Sequence, residues 1–241
     1  MMAAAVPAFL MSSAGIANAA EQEVSYEKRV WDADQNKVVS TTETISDYTV
    51  LDDVSGNYYT DKEWIVVNKD TSISGYFCAA GTVNLLICNG ATLTTNGIVA
   101  DVNSSGFHNT INIYGQSGDS SKIVTKGAEY AAGIGAWEDK VAGNINIYGG
   151  TIEATGGKEA AGIGSGDEAD GGKVSIYGGK VTARGGRLAA GIGGGDDGVG
   201  GTINIYGGEV TATGGYRGAG IGGGEDQDGG NIHIYGGTVK A

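Results

Sequence analysis

The sequence predicts an all-β fold, a right-handed single-stranded parallel β-helix with three sides and 29-residue coils. Tyrosines and Gly-Ile-Gly triplets recur at the same step of 29 residues, and a fixed period of this size is typical of a solenoid. A helical solenoid is excluded because no window keeps apolar residues at helical spacing, and 46 glycines would each weaken a helix by about 0.5–1 kcal/mol. The right-handed winding follows the general preference of parallel crossovers. The tyrosines are Tyr148, Tyr177, Tyr206 and Tyr235, and the triplets begin at Gly133, Gly162, Gly191 and Gly220.

Each repeat contains three short runs in which apolar and polar residues alternate, as in half-buried strands. In the copy that starts at Asn144, strands are predicted at 144–148, 151–155 and 160–164. Glycine pairs and a glycine-rich loop separate the strands and allow sharp corners. Because one coil buries too little apolar surface to fold alone, we expect successive coils to stack and share strand hydrogen bonds. The side chains predicted to point inward are Ile145, Ile147, Ile152, Ala154, Ala161 and Ile163.

Before residue 144 the coils have unequal lengths. We align Val67, Ile87 and Ile113 with Ile147 as one inward position, which predicts a parallel β-helix over 63–241 with regular repeats from 144. Residues 20–62 are predicted as an N-terminal β cap, in which a hairpin turns at 33–36 and shields the open edge of the first coil. Residues 232–240 begin another coil, so we expect further domains or self-association at the C-terminal edge.

Residues 1–19 are apolar and uncharged and end in the small-residue sequence ANA, which is typical of a secretory signal peptide, here with a truncated amino-terminal region. The alternatives are an apolar strand and a membrane helix. Pro7 and several polar residues interrupt the run, so we expect no membrane span. The net charge of −13 makes nucleic acid an unfavourable partner. The predicted location is secreted or cell-surface. Two cysteines, Cys78 and Cys88, are too few for a disulfide framework, and their pairing stays open.

From about Val24 to Ala241 the chain resembles the glycine-rich right-handed parallel β-helix repeats of large bacterial cell-surface proteins. The resemblance rests on DYTVLDD, EWIVVNKDTSISGYF, VNLLICNGATLTTNGI and INIYGQSG, followed by repeated AAGIGGG and by strands like GGTVTATGG. It implies a place at the cell surface and a carbohydrate-binding or adhesive role, and it implies no reaction. This chain departs from the family by ending the first strand of each coil with tyrosine, where a small polar residue is common.

Stacked coils turn each repeated position into a column with a spacing of about 4.8 Å. A column of tyrosines that projects outward would form an aromatic strip on which sugar rings stack. The alternative is ring-on-ring packing that stiffens the solenoid. Trp137 follows the first Gly-Ile-Gly triplet and is either a sugar contact or a cover for its loop. The predicted ligand-binding residues are Tyr114, Tyr148, Tyr177, Tyr206, Tyr235 and Trp137.

Acidic residues follow every Gly-Ile-Gly triplet and form two further columns. Flexible glycine-rich loops with oxygen ligands suit Ca²⁺, which takes six to eight oxygens at about 2.3–2.6 Å. An ion is not required, because like charges at this spacing repel by only about 1 kcal/mol in water, and the chain lacks the nonapeptide of calcium-binding β-rolls. The predicted calcium ligands are Glu138, Asp139, Asp167, Glu168, Asp170, Asp196, Asp197, Glu225, Asp226 and Asp228.

Three classes of function fit these features. The first is a non-catalytic extracellular module that binds a polysaccharide or a glycan of host or plant origin, with Ca²⁺ as a candidate cofactor. The second is a structural stalk in a larger surface protein. The third is a polysaccharide lyase or hydrolase, for which Asp196, Asp197 and Arg184 or Arg187 would have to act. Because these residues recur as repeat columns, whereas a catalytic site is normally a single break in the pattern, we expect no enzyme.

Overall fold

The computed structural model describes residues 22–103, 105–118 and 120–241, and these residues form strands and turns only. None of them forms a helix that could cross a membrane. The predicted signal peptide at 1–19 lies outside the described residues. The strands are β1 Val24–Asp32, β2 Lys37–Ile45, β3 Thr49–Val50, β4 Tyr58–Thr60, β5 Trp64–Val67, β6 Thr71–Ala79, β7 Thr82–Ile87, β8 Thr92–Val99, β9 Thr110–Gly115, β10 Lys122–Lys126, β11 Ile134–Gly135, β12 Asn144–Ile147, β13 Thr151–Thr155, β14 Ile163–Gly164, β15 Lys173–Ile176, β16 Lys180–Arg184, β17 Ile192–Gly193, β18 Thr202–Ile205, β19 Glu209–Thr213, β20 Ile221–Gly222, β21 Asn231–Ile234 and β22 Thr238–Lys240.

The predicted parallel β-helix is confirmed. One sheet of eight strands runs β3-β5-β7-β9-β12-β15-β18-β21, and all its neighbours pair in parallel. The second sheet has 12 strands and contains two parallel columns, one through β10, β13, β16, β19 and β22 and one through β11, β14, β17 and β20. The long strands β6 and β8 run through both columns. From β12 to β20, every coil therefore contributes three strands.

The 29-residue repeat sets the register of the regular coils. Ile145 lies opposite Val174 and Val174 opposite Ile203, so each repeated position is one turn above its predecessor. The inward positions of the unit that starts at Asn144 are at most 1% exposed. On the outer face of the first sheet, the Asn146 side-chain amide donates to Asn112, and the Asn112 amide donates to Asn84, both at 2.8 Å. The same translation thus aligns apolar side chains inside and matched amides outside.

The third strand of each coil is shorter than predicted, with two residues instead of five. Gly164 has a φ of 137°, and a Cβ there would collide with the carbonyl oxygen of Gly193 in the next coil. The glycines of the Gly-Ile-Gly triplet are therefore required by the close approach of successive backbones.

The predicted cap at 20–62 needs correction. Only the hairpin of β1 and β2 stands apart from the coils, whereas β3 and β4 pair in parallel with β5 and β6 and belong to the first coil. The β-helix therefore begins near residue 49 instead of 63. The prediction failed because these strands have two and three residues, too few to show alternation.

The register expected for the irregular coils was also wrong. Ile113 lies opposite Leu85 and below Ile147, while Ile87 lies opposite Gly115. The error is two residues, so Ile87 keeps its inward orientation and is buried. Parity alone cannot detect such a shift, because strand side chains alternate with a period of two.

The β1–β2 hairpin packs along the side of the β-helix, and its strands pair only with each other. Tyr26 packs against Tyr114, with ring centroids 4.9 Å apart, and Trp31 packs against both Tyr206 and Tyr235, at 5.4 and 5.2 Å. A strand advances about 3.3 Å per residue, so the five steps from Tyr26 to Trp31 cover roughly 17 Å. Three and a half ring spacings of 4.6–4.9 Å cover the same length. The hairpin therefore runs parallel to the axis of the solenoid.

Candidate functional site

The tyrosines that end the first strand of successive coils form a continuous stack, the tyrosine ladder, which begins with Tyr114. Its ring centroids are 4.6–4.9 Å apart and its planes differ by 4–13°. Each inner ring therefore has a tyrosine on both faces and turns only its edge outward. The members of the ladder are Tyr114, Tyr148, Tyr177, Tyr206 and Tyr235.

This geometry corrects the expectation of a sugar-stacking strip. A sugar stacks on the face of an aromatic ring, and in the inner tyrosines both faces are occupied. Tyr26 and Trp64 also cover Tyr114, which is 7% exposed. The residues have the alternative role that the sequence left open, which is ring-on-ring packing along one corner. Only Tyr235, at 46% exposure, keeps a large accessible surface.

Burial raises the pKa of the phenols in Tyr114, Tyr148 and Tyr177 above its usual range. Desolvation is the largest cause in each case, because the charged phenolate would lose its hydration. These three rings are therefore neutral at physiological pH and tolerate close stacking.

A cleft of ≈ 740 Å³ lies between the hairpin and the ladder. It follows three successive Tyr-Gly-Gly corners, at 177–179, 206–208 and 235–237, and is thus elongated along the solenoid axis. Concave sites with a few polar groups are typical of ligand binding. Its hairpin wall consists of Arg29, Trp31, Asn36, Lys37, Val38 and Ser40.

Arg29 fixes one end of the cleft. Its guanidinium donates to the backbone carbonyl of Tyr148 at 2.5 Å and pairs with Glu27. The side chain passes over Gly178, where a Cβ would come 2.7 Å from the Arg29 Cδ. The glycine corner therefore makes room for the arginine, which ties the hairpin to the β-helix.

The cleft is locally basic in an acidic protein. Arg29, Lys37 and Lys180 line it together with a single acidic side chain, Glu209, although the chain carries a net charge of −13. Lys180 pairs with Glu209 at 3.3 Å. Lys37 is exposed and forms no ion pair within the described part of the chain.

Trp137 does not join the ladder. Its ring packs on Tyr76, with centroids 4.0 Å apart, in a separate cluster with Cys78, Val99 and Ala131. The predicted ligand-binding set is therefore divided between two corners, and Trp137 covers the outside of the second sheet. Cys78 and Cys88 are both free.

The acidic loops lie at a different corner of each coil. In every loop, the second acid adopts the left-handed conformation, with φ values of 53–55°. Asp and Asn tolerate this region better than most residues because their short polar side chains bond locally. The carboxylate of the preceding residue accepts such a bond in two loops, from Glu168 N–H to Asp167 and from Asp197 N–H to Asp196, both at 3.0 Å. Turn formation therefore accounts for part of the acidic repeat. The left-handed residues are Asp139, Glu168, Asp197 and Asp226.

Two predicted metal ligands, Asp167 and Asp196, come together with a residue that the sequence reasoning missed. One carboxylate oxygen each of Glu159, Asp167 and Asp196 lies within 4.8 Å of the others, and we call this group the acid cluster. Desolvation, followed by the charges of Glu159 and Asp196, raises the pKa of Asp167 to about 6. Desolvation also raises the pKa of Asp196. Hard oxygen ligands of this kind suit a divalent cation such as Ca²⁺, although Lys158 pairs with Glu159 at 2.9 Å.

The other predicted calcium ligands do not form a comparable group within the described residues. Arg217 pairs with Glu225 and lies 3.6 Å from Asp226, while Asp170 accepts a hydrogen bond from the Val199 N–H at 2.9 Å. The remaining predicted ligands outside the cluster are Glu138, Asp139, Glu168, Asp197 and Asp228.

Two signals in the sequence could have found the missed residues. Glu159 occupies a column in which Tyr130, Leu188 and Arg217 are its counterparts, so it is a break in the repeat beside a repeated acid. The cleft is signalled by Tyr26 and Trp31, aromatic residues in a short polar hairpin whose spacing fits the rise of the coils.

Comparison with known proteins supports the scaffold. A family model described as a β-helix repeat matches residues 145–167, 174–196 and 203–225. No curated protein and no solved structure matches the chain. The matched part begins in β12 and ends in the last acidic loop, so it contains three coils that carry both corners described above. Over these three segments the chain is similar to the β-helix repeat.

Proposed function

We propose that the chain is a non-catalytic, extracellular binding module that holds a polysaccharide in the cleft between the hairpin and the tyrosine ladder. The observation that carries this proposal is the shape of the cleft, which follows three successive coils along the axis. A linear polymer would meet the same Tyr-Gly-Gly corner at each coil. Its contacts would therefore add along the groove.

The chemistry of the walls supports a sugar polymer. Trp31 supplies an amphipathic ring, tyrosine edges supply hydroxyl groups, and Asn36 and Ser40 supply exposed hydrogen-bonding groups. Carbohydrate sites combine aromatic surfaces with such polar groups because sugar rings have apolar C–H faces and many hydroxyls. The ligand would contact the ladder through its edges.

A structural stalk is the second candidate, and the tyrosine ladder favours it. Stacked neutral rings, backed by Tyr26, Trp31 and Trp64, stiffen a solenoid whether or not a ligand is present. In this case the cleft would be a consequence of the hairpin that braces the ladder.

A glycan-array screen with the unmodified chain and two variants separates these functions. Trp31→Ala removes the aromatic wall, and Ser40→Trp fills the cleft while keeping Trp31. We expect the unmodified chain to bind defined oligosaccharides and both variants to lose most of this binding signal. Tyr216→Ala, at a corner outside the cleft with 83% exposure, is the matched control and should bind normally.

Several results would contradict the proposal. Absence of binding by the unmodified chain would favour the stalk. Binding that survives Ser40→Trp would exclude the cleft as the site. Release of shortened products would favour a lyase or hydrolase.

A further inference from the structure

We propose that the cleft selects acidic polysaccharides, with the carboxylates of uronate units facing Lys37 and the glycine corners, an inference that rests on the proposed polysaccharide binding. The argument begins with the contrast between the cleft and the rest of the surface. A net charge of −13 means that basic groups are the exception, yet the cleft is lined by three basic side chains and one acidic side chain.

The basic groups differ in how much charge they can offer. Arg29 forms an ion pair with Glu27 and a hydrogen bond to the carbonyl of Tyr148. Lys180 forms an ion pair with Glu209. Lys37, on the hairpin wall, forms no ion pair among the described residues, with Asp32 as its cross-strand neighbour. A carboxylate that enters the cleft would therefore find its strongest unneutralised charge at Lys37.

The glycine corners of the β-helix form the wall that faces the hairpin. The N–H groups of Gly179 and Gly208, at equivalent corners of successive coils, have no acceptor among the described residues. Backbone N–H groups that repeat along a groove are suited to negatively charged oxygens. Because these donors recur once per coil, they suit a polymer in which the carboxylate recurs as well.

The acidic surface elsewhere does not prevent this selection at physiological salt. The Debye length is about 8 Å at 0.15 M ionic strength, so groups inside the cleft act on a bound carboxylate more strongly than the distant acidic loops do. The overall negative field would slow the approach of a polyanion. Selection should therefore appear at equilibrium and weaken as salt screens the contact with Lys37.

The test compares polygalacturonate oligomers with their fully methyl-esterified forms, which have the same sugar and linkage without the charge. Binding is measured by calorimetry at 0.05 and 0.3 M NaCl. Lys37→Gln is compared with Lys126→Gln, an exposed lysine on β10 outside the cleft, so both variants change the net charge equally. We expect the acid form to bind more tightly than the ester, and Lys37→Gln to weaken it about two- to five-fold, as for one exposed charge pair. Lys126→Gln should have no effect, and higher salt should reduce the preference.

The possible failures are distinguishable. Equal binding of acid and ester would overturn the inference and leave the proposed function standing. Equal weakening by the two lysine variants would show a general charge effect and overturn the assignment to Lys37. A single-stranded oligonucleotide that binds as tightly as polygalacturonate would show that the cleft takes any polyanion. If neither form binds in the cleft while neutral glycans bind there, only the inference fails; if no glycan binds, the proposed function fails too.

Discussion

The tyrosine corner and the acidic corner belong to the same repeated unit, yet the repeat has opposite consequences in the two. At the tyrosine corner, each turn places a neutral ring on an identical ring at 4.6–4.9 Å, and both gain from the contact. At the acidic corner, the same translation brings like charges together; burial, followed by the charges of Glu159 and Asp196, raises the pKa of Asp167 to about 6. Stacking identical residues is thus favourable for rings and unfavourable for carboxylates.

The residue type is kept along the tyrosine corner and changes along the acidic corner. The ladder keeps tyrosine in five successive coils, whereas the column that contains Glu159 changes to Leu188 and then to Arg217. Arg217 pairs with Glu225 and Asp226, so charge is neutralised in the last loop. Glu159 adds charge in an earlier one. Among the residues that the structure describes, the acid cluster consequently occurs at one place.

The largest effect should come from breaking the ladder at its centre. Tyr177→Ala removes two ring contacts, and we expect the free energy of unfolding to fall by about 3 kcal/mol, measured by chemical denaturation. Tyr177→Phe should change it little, because the stack remains. Tyr216→Ala, at an exposed corner, should cost less than about 0.5 kcal/mol. Equal costs for Tyr177→Ala and Tyr216→Ala would contradict the role of stacking.

The second effect concerns the hairpin that covers the ladder. Trp31→Ala removes the contacts to Tyr206 and Tyr235, so we expect a loss of about 2 kcal/mol in unfolding free energy. Hydrogen exchange should also accelerate at the backbone N–H of Tyr235, which is bonded to Ile205. Val30→Ala, in the same strand but 44% exposed, is the control. An identical exchange pattern in the two variants would show that the hairpin does not brace the ladder.

The third prediction concerns how much the acid cluster lowers the free energy of unfolding. Because the folded state raises the pKa of Asp167 from 3.8 to about 6, the folded protein binds this proton more tightly, and stability falls as pH rises through that interval. Asp167→Asn keeps a carbonyl acceptor for the Glu168 N–H and removes the charge. We expect it to raise the unfolding free energy by about 1–2 kcal/mol above pH 6.5 and by almost nothing near pH 3.5.

Denaturation curves at several pH values measure this difference between the variant and the unmodified chain. Glu138→Gln, an exposed acid in the same column, is the control and should give a difference below about 0.5 kcal/mol throughout. A gain from Asp167→Asn that is constant across pH would contradict the charge explanation.

The smallest effect should come from the neutralised loop. Arg217 is half exposed and its partners are acidic, so Arg217→Gln should cost about 0.5 kcal/mol in low salt and less in 0.5 M NaCl. Tyr216→Phe, its immediate neighbour, should show no salt-dependent change. A cost that grows with salt would contradict an electrostatic origin and weaken the contrast between the corners.

The regular coils were predicted well from the sequence because each of their positions recurs in three or four successive coils. Ile145, Val174 and Ile203 repeat at one spacing, so period, parity and register agree. Ile87 was misaligned by two residues because one irregular coil offers parity alone. The hairpin was misplaced because its position depends on contacts between residues far apart in the chain, such as Arg29 with Tyr148. Glu159 was missed because its neighbours come from other loops.

The orientation of the hairpin has a consequence for how the molecule comes apart. A solenoid held only by adjacent turns can fray one turn at a time, since each turn loses contacts with its neighbours alone. Here a single β-ribbon contacts Tyr114 at one end and Tyr235 at the other. Peeling away an intermediate turn would also lift this ribbon from the turns on either side. We therefore expect the spanned turns to melt as one cooperative block.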